Sequence, residues 1–270
     1  MVVTRPIPPT VGLYSIGVRS IELEDLLLLA AAEQVPFLHV RGGPRGFDLA
    51  SRDDATLDRW AHCARSSTPI TMVTADLDLA DFATPDPDAR RRAHAELDRL
   101  GHAAAMLGAR AIRLLARQML DPLRWTGLSM PDLVARYGLT TLVELHDPAW
   151  FAAHTAASLA EYLNRTPRIA LLMDTAQVHD AWLRSGNPDS VSGTVSMLVP
   201  YTRVVHLSDN GDGLTGAGHR IVAQSFKRAS HDSPVEIAFE WTGADRSPQG
   251  CLARYHSTVD WWHASLQDNR

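Results

Sequence analysis

Residues 140–144 read Thr-Thr-Leu-Val-Glu, a short apolar segment that ends in the carboxylate of Glu144. The same arrangement recurs three times, in Ile-Ala-Leu-Leu-Met-Asp ending at Asp174, Arg-Val-Val-His ending at His206 and Val-Glu-Ile-Ala-Phe-Glu ending at Glu240. Successive members lie 30, 32 and 34 residues apart by subtraction of their numbers, about the length of one strand-plus-helix unit. This repeat predicts parallel strands in a closed barrel, whose carboxyl ends meet at the face where barrel enzymes carry their active sites.

Strand-like and helix-like segments alternate along the whole chain. Short apolar segments, often β-branched, predict strands that are buried on both faces, at Gly12–Val18, Pro36–Arg41, Pro69–Ala75, Ala111–Ala116, Thr140–Leu145, Arg168–Asp174, Arg203–Leu207 and Val235–Trp241. The segments between them predict helices at Ile21–Gln34, Asp54–Arg65, Pro87–Leu107, Met130–Tyr137, Trp150–Asn164, Val191–Leu198, Arg220–Ala229 and Pro248–Leu266. Strict alternation indicates a parallel α/β architecture. Because no change of composition marks a linker, we expect residues 1–270 to form a single (β/α)8 TIM barrel.

The composition limits the classes of function. The 270 residues are 45% hydrophobic and 21% charged, ordinary values for a globular protein with a sizeable core. The formal net charge of −5 argues against a nucleic acid as the main partner. Cys63 and Cys251 form no disulfide framework, which predicts a cytoplasmic location. We expect no secretion signal, because the opening residues have no apolar core. We expect no membrane span, because the longest apolar run, Leu26–Ala32, is too short.

The four strand-end residues form an oxygen-rich set of metal ligands. Two Glu, one Asp and one His suit Mn²⁺ or Mg²⁺, and the imidazole also admits Co²⁺ or Zn²⁺. Each residue alone has a structural alternative. Glu144 and Glu240 could pair with Arg or Lys, Asp174 could cap the next helix, and His206 could be a core histidine. One shared site explains the regular spacing better than four independent roles, so the sequence predicts one divalent metal ion, with Mn²⁺ preferred.

The second half of the chain carries a set of family motifs. They are Val-Glu-Leu-His-Asp-Pro, Leu-Met-Asp-Thr, Val-Val-His-Leu-Ser-Asp and Ala-Phe-Glu-Trp, followed after the seventh strand by the glycine-rich segment Gly211–His219. Over residues 140–242 the chain therefore resembles the xylose isomerase-like barrel enzymes, which include ketose 3-epimerases, inosose isomerases and dehydratases, 3-dehydroshikimate dehydratases and apurinic endonucleases. The resemblance implies four metal ligands, Glu144, Asp174, His206 and Glu240. It also implies that Glu144 and Glu240 exchange protons with opposite faces of the substrate.

Seven further residues are candidates for substrate contact: His146, Gln177, His179, Ser208, His219, Arg41 and Trp241. His146 and Ser208 follow a predicted ligand by two residues, so on a strand they face the same side as that ligand. The family often carries a His three residues after the Asp of the sixth strand. Here that position is Gln177, with His179 as the nearest imidazole, and either could take over the contact. Arg41 could hold the substrate or form a structural ion pair.

The leading hypothesis is a divalent-metal-dependent isomerase or epimerase. Its substrate would be a small polyhydroxylated carbonyl compound, such as a ketose or cyclitol of carbohydrate metabolism, which reacts through an enediolate. A metal-dependent dehydratase (lyase) of the 3-dehydroshikimate dehydratase type and a non-catalytic barrel subunit are the alternatives. An apurinic endonuclease is disfavoured, because Thr74-Ala75-Asp76 and Ala116-Arg117-Gln118 end the third and fourth strands without the extra His ligands of that branch. Trp261 and Trp262 in the last helix are expected to pack against the barrel or against a partner subunit, which leaves a homodimer possible.

Overall fold

Eight parallel strands form one closed barrel in the computed structural model, which describes residues 10–121, 125, 134–229 and 234–267. The strands pair in chain order, and the last returns to the first. They are β1 Val11–Tyr14, β2 Leu38–Arg41, β3 Ile70–Asp78, β4 Ala111–Ala116, β5 Thr140–Leu145, β6 Ile169–Asp174, β7 Thr202–Asp209 and β8 Glu236–Trp241. The (β/α)8 TIM barrel predicted from the alternation of segments is confirmed.

Helices cover the outside of the barrel. Those bounded within the described residues are α1 Leu23–Ala32, α2 Asp54–Ser66, α3 Leu79–Ala83, α4 Pro87–Met106, α5 Ala153–Arg165, α6 Thr175–Ser185, α7 Pro188–Leu198, α8 Ala217–Arg228 and α9 Pro248–Gln267. The helix predicted at Met130–Tyr137 falls mostly outside the described residues. In the described part of the chain, no helix has both the length and the apolar character needed to cross a bilayer.

Three elements differ from the sequence prediction. The first strand ends at Tyr14 rather than Val18, because Ser15–Gly17 form a 3-10 turn. Helix α3 was not predicted; it follows β3 directly and begins at a capping box built on Asp78. Helix α6 was also missed. It buries only Thr175, Val178 and Ala181, and so narrow a buried stripe is a weak helical signal in the sequence.

The interior of the barrel changes from apolar to polar along the strands. Side chains two residues apart on a strand face the same side. Leu142 therefore shares the inner face with Glu144, and Val204 shares it with His206. The apolar inner cluster near the amino ends consists of Met72, Leu142, Ala170, Leu172 and Val204. The polar residues lie beyond it, toward the carboxyl ends of the strands, where barrel enzymes carry their chemistry.

Candidate functional site

Three of the four predicted ligands converge at the carboxyl ends of β6, β7 and β8. Asp174, His206 and Glu240 each offer one ligand atom, and these atoms all lie within 4.8 Å of one another. Strand pairing places Asp174 directly beside His206, and His206 Nδ1 lies 2.9 Å from Glu240 Oε2. Donors that share one ion at bond lengths of about 2.0–2.4 Å lie at most about 4–5 Å apart. The spacing of these three side chains therefore fits a metal ion.

Asp174 caps helix α6 and also belongs to the cluster with His206 and Glu240. Its Oδ1 accepts the backbone N–H of Ala176 at 2.6 Å and that of Gln177 at 3.4 Å, which caps α6. Its Oδ2 accepts the hydroxyl of Ser208 at 2.6 Å. The capping role that the sequence left open and a place in the ligand cluster are therefore compatible.

The charges within this cluster are unbalanced. Burial, together with the neighbouring Glu240 and Glu144 carboxylates, raises the pKa of Asp174 to about 7. Burial, together with Glu144, likewise raises the pKa of Glu240 to about 7. Burial lowers the pKa of His206 to about 4, which keeps the imidazole neutral, as metal binding requires. Two crowded carboxylates and a neutral imidazole are a donor set that a divalent cation would stabilise.

Glu144 lies outside the group of three and has its own counter-ions. Its Oε2 is 2.9 Å from Arg113 Nε, and its Oε1 is 2.9 Å from His146 Nε2. Burial acts to raise the pKa of Glu144, but Arg113 and His146 outweigh it, and the pKa falls to about 2. The same contact raises the pKa of His146 despite its burial. Glu144 is thus held as a carboxylate next to the ligand cluster.

Arg113 is a buried cation in the middle of β4. Its Nη1 donates to the carbonyl of Ala75 at 2.8 Å, and its Nη2 donates to the hydroxyl of Tyr14 at 3.2 Å. The Tyr14 hydroxyl is 2.7 Å from the hydroxyl of Thr74, and burial raises the pKa of Tyr14 to about 12. The sequence analysis missed Arg113. The signal was a charged residue in the apolar strand Ala-Ile-Arg-Leu-Leu-Ala, which is costly to bury without partners.

His39 is the second residue that the sequence analysis missed. It lies in β2 with 0% of its surface exposed, and its Nδ1 is 3.0 Å from His206 Nε2. Its Nε2 is 3.1 Å from Glu236 Oε2 at the start of β8. Burial lowers the pKa of His39 to about 4. A histidine inside the apolar segment Phe-Leu-His-Val-Arg was the available signal.

Three of the predicted substrate contacts lie against the ligands or the cap of α6. His146 contacts Glu144, and Ser208 donates to Asp174. Gln177 is partly exposed in the first turn of α6, where its backbone meets the Asp174 carboxylate. Contact of these residues with a substrate stays a prediction.

His179 and His219 pack where α6 meets α8. His179 stacks on Trp182 with ring centroids 5.7 Å apart. The Nε2 of His219 is 2.8 Å from the carbonyl oxygen of Ser208. A Cβ at Gly218 would lie 2.1 Å from the carbonyl oxygen of Thr175, so a glycine is needed for α8 to approach this closely. These contacts give both histidines a packing role, and their contact with a substrate stays a prediction.

Arg41 and Trp241 have structural partners. Arg41 Nη2 donates to Asp76 Oδ1 at 3.1 Å, which is the ion pair that the sequence left as an alternative. Trp241 follows Glu240 on β8 and so faces the opposite side of the strand. There it is buried in the main core beside Phe239, under the guanidinium of Arg254. Substrate contact of Arg41 and Trp241 stays a prediction.

No curated protein sequence matches the chain, but several solved structures share its fold. D-psicose 3-epimerase from Clostridium cellulolyticum H10, solved with D-tagatose, superposes with a TM-score of 0.71 at 13% identity, over 95% of this chain and 99% of that one. The IolI protein with a bound zinc atom gives a TM-score of 0.72 at 13% identity, over 96% and 99%. An L-ribulose 3-epimerase gives 0.70 at 13% identity, over 96% and 95%. At these identities the likeness shows the fold.

A family model provides the stronger relationship. The model described as a xylose isomerase-like TIM barrel matches residues 29–223, more than two thirds of the 270 residues. The match spans the strands that carry Glu144, Asp174 and His206. The chain belongs to the xylose isomerase-like TIM barrel family.

Proposed function

We propose that this protein is a divalent-metal-dependent isomerase or epimerase acting on a small polyhydroxylated carbonyl compound. The single observation that carries the proposal is the place of Glu144, a carboxylate with its own counter-ions, next to the cluster of Asp174, His206 and Glu240. A proton abstraction next to a carbonyl needs both a base and an electrophile. The two D- and L-ketose epimerases that share the fold support this reaction class.

Asp174, His206 and Glu240 would hold the metal ion. When bound, the ion supplies Lewis-acid polarisation of a substrate carbonyl oxygen. The hard oxygen donors favour Mn²⁺ or Mg²⁺, and the imidazole also admits Co²⁺ or Zn²⁺; the zinc atom in the IolI structure supports a metal in this fold. The ligand role that the sequence predicts for Glu144 stays a prediction and is tested below.

Glu144 and Glu240 would move the proton. Glu144 is held ionised by Arg113 and His146, so it is available to accept a proton. Glu240 lies on β8, three strands round the barrel from Glu144 on β5, and would return the proton. Removal of a proton from one face of a carbon and return to the other face inverts that centre. This is the chemistry of an epimerase.

Dehydration is the second candidate function, and one observation favours it. His146 lies beside the proposed base, and its pKa is raised by contact with Glu144. A protonated imidazole at that place could donate to a leaving hydroxyl group after proton abstraction. A dehydratase would form a conjugated double bond and new ultraviolet absorbance, whereas an epimerase would not.

The test combines metal analysis with isotope exchange. The protein is purified, its bound metals are measured by mass spectrometry, and ketoses and cyclitols are incubated in D₂O with wild type, Glu144→Gln and Glu240→Gln. We expect deuterium to enter the carbon next to the carbonyl with wild type, and each variant to lose about 10²–10⁴-fold in rate. Full exchange activity in both variants, or in protein stripped of metal, would overturn the proposal.

The remaining expectations follow from the sequence. A small molecule is the proposed substrate, and the net charge of −5 speaks against a nucleic acid partner. In the last helix Trp262 is buried and Trp261 is partly buried against the main core. The homodimer and the cytoplasmic location stay predictions.

A further inference from the structure

A line of polar contacts runs from the ligand cluster through the barrel to the start of β8. His206 Nε2 meets His39 Nδ1 at 3.0 Å, and His39 Nε2 meets Glu236 Oε2 at 3.1 Å. Glu236 is held in place by the hydroxyl of Thr71, which donates to the same oxygen at 2.8 Å, and by an ion pair with Arg110. The two imidazoles are fully buried, so water does not compete for the contact between them.

From Glu236 toward the ligand cluster, the hydrogen bonds of this line run in one direction. An ionised carboxylate only accepts hydrogen bonds, so the contact with Glu236 places the hydrogen of His39 on Nε2. A neutral imidazole carries one hydrogen, and His39 Nδ1 is therefore an acceptor. His206 must then donate from Nε2. Its Nδ1, 2.9 Å from Glu240 Oε2, then has a lone pair, and a metal ion shared by these two atoms would favour this tautomer over one that donates to Glu240.

We propose that Glu236 and His39 are positioning residues that set the tautomer of His206, so that its Nδ1 presents a lone pair to the metal cluster. The inference rests on the metal site of the proposed function. A histidine that binds a metal usually donates its other N–H directly to a carboxylate or a carbonyl, which sets the tautomer and the ring orientation. Here a second imidazole is inserted between the ligand and the carboxylate.

Through the inserted imidazole of His39, the carboxylate of Glu236 at the amino end of β8 is connected to the ligand cluster at the carboxyl end. Glu236 is the first residue of β8, while Glu240, four residues later on the same strand, belongs to the ligand cluster. A residue-to-residue rise of about 3.3 Å places the two carboxylates roughly 13 Å apart along the strand. Glu236 can therefore influence His206 through His39 without adding a third negative charge to the cluster.

The isosteric change Glu236→Gln separates this role from simple packing. A glutamine side chain fills the same space and still forms hydrogen bonds, but its NH₂ group can donate to His39 Nε2. The whole line can then reverse, with His39 Nδ1 donating to His206 Nε2 and the hydrogen of His206 moving to Nδ1. That tautomer cannot bind a metal through Nδ1.

The first experiment records the tautomers directly in the metal-free protein. Long-range ¹H–¹⁵N NMR spectra of the imidazoles show which ring nitrogen carries the hydrogen, and spectra of His39→Asn and His206→Asn assign the signals. We expect Nε2–H on both rings in wild type and a population of Nδ1–H on His206 in Glu236→Gln. A wild-type His206 protonated on Nδ1, or a Glu236→Gln spectrum identical to wild type, would overturn the inference.

The second experiment measures the affinity for Mn²⁺ by titration of the metal-stripped protein. We expect a 10–100-fold weaker Kd in Glu236→Gln and in His39→Leu. His39→Asn should stay within a few-fold of wild type, because its amide oxygen can accept from His206 Nε2 at about the position of Nδ1. Glu161→Gln is the matched control, since it makes the same change in an exposed ion pair with Arg165 on α5, and its Kd should be unchanged.

The outcomes distinguish the two proposals. If wild type binds Mn²⁺ and Glu236→Gln binds it equally well, the inference fails and the proposed function stands. If wild type binds neither Mn²⁺ nor Zn²⁺, the metal-dependent function fails, and the NMR spectra still decide whether Glu236 and His39 set the tautomer. Thermal unfolding of each variant verifies that a change in Kd does not reflect loss of the fold.

Discussion

The two sides of the polar barrel mouth balance their charge in opposite ways. On the side of β4 and β5, Glu144 is neutralised by Arg113, a cation that the chain itself provides. On the side of β6 to β8, Asp174 and Glu240 lie together, and among the described residues no Arg or Lys forms an ion pair with either of them. The pKa of Glu144 is lowered while burial and crowding raise those of Asp174 and Glu240. A divalent cation from outside would balance the charge of this second side.

This difference suggests that the carboxylates on the two sides have different roles. A carboxylate with an internal counter-ion stays ionised whether or not a metal is bound, so Glu144 remains available to accept a proton. Carboxylates without one gain most from a divalent ion, so Asp174 and Glu240 are suited to metal binding. The following predictions test whether the two sides are as independent as their contacts indicate.

The largest effect is expected when the internal cation is removed. Arg113→Leu leaves Glu144 buried without its main counter-ion, which we expect to lower the free energy of unfolding by about 3–5 kcal/mol in urea denaturation. The double variant with Glu144→Leu should regain a large part of this loss, because no buried charge is left unpaired. The control is Arg184→Gln, an exposed pair with Asp180, with a loss below about 1 kcal/mol. An equal loss in both arginine variants would contradict the comparison.

The pH dependence of stability should have opposite signs on the two sides. The carboxyls of Asp174 and Glu240 rise from pKa values of 3.8 and 4.5 to about 7 on folding. In the metal-free protein these two carboxyls therefore hold more protons in the folded than in the unfolded state between about pH 4 and 7, so their contribution to the unfolding free energy falls as the pH rises through that window. The lowered pKa values of His39 and His206 contribute in the opposite sense over the same window. Glu144 is stabilising above its unfolded pKa of 4.5, and this contribution is lost as the pH falls toward about 2.

Urea denaturation in EDTA at a series of pH values measures these slopes. Relative to wild type, Asp174→Asn should make the slope of unfolding free energy against pH more positive between about pH 4 and 7, because it removes one of the two raised carboxyls. Glu144→Gln should instead flatten the loss at acidic pH. Identical pH profiles for wild type and Asp174→Asn would show that the charges of the ligand cluster do not govern stability.

The stabilisation of the fold by a bound metal ion should depend on Asp174 and not on Glu144. At a free Mn²⁺ concentration 100 times its Kd, wild type should gain about 2.7 kcal/mol in unfolding free energy. Asp174→Asn should lose most of this gain at the same Mn²⁺ concentration, whereas Glu144→Gln should keep most of it. Loss of the gain in Glu144→Gln would instead make Glu144 the fourth ligand that the family resemblance implies.

The smallest effect is expected from the hydroxyl that orients Asp174. Ser208→Ala removes the 2.6 Å hydrogen bond to Asp174 Oδ2, which we expect to weaken Mn²⁺ binding by about 1 kcal/mol, roughly fivefold in Kd. Ser196→Ala is the control, since the hydrogen bonds of that hydroxyl go to the Ser192 carbonyl and the Ser225 hydroxyl rather than to Asp174. A Kd equal to that of wild type would mean that the cap of α6 alone positions Asp174.

The positions of Asp174, His206 and Glu240 were easier to predict from the sequence than those of the polar residues that contact them. Asp174, His206 and Glu240 each end a strand with a clear local pattern, and the strand ends meet wherever a barrel closes. Arg113 and His39 were missed because a polar residue inside a strand shows its role only through its partners. Helix α6 was missed because it buries few apolar side chains.

The sequence by itself determined the barrel and the face on which its polar residues gather, since the period of the strands and helices is a local property. Only the tertiary structure decided which carboxylate received an internal cation and which nitrogen of His206 faces the cluster. The partners that decide these points lie far apart along the chain, 167 residues in the case of His39 and His206. Closure of the barrel brings them together in a core. Burial there raises the energetic cost of each unpaired charge and strengthens each hydrogen bond.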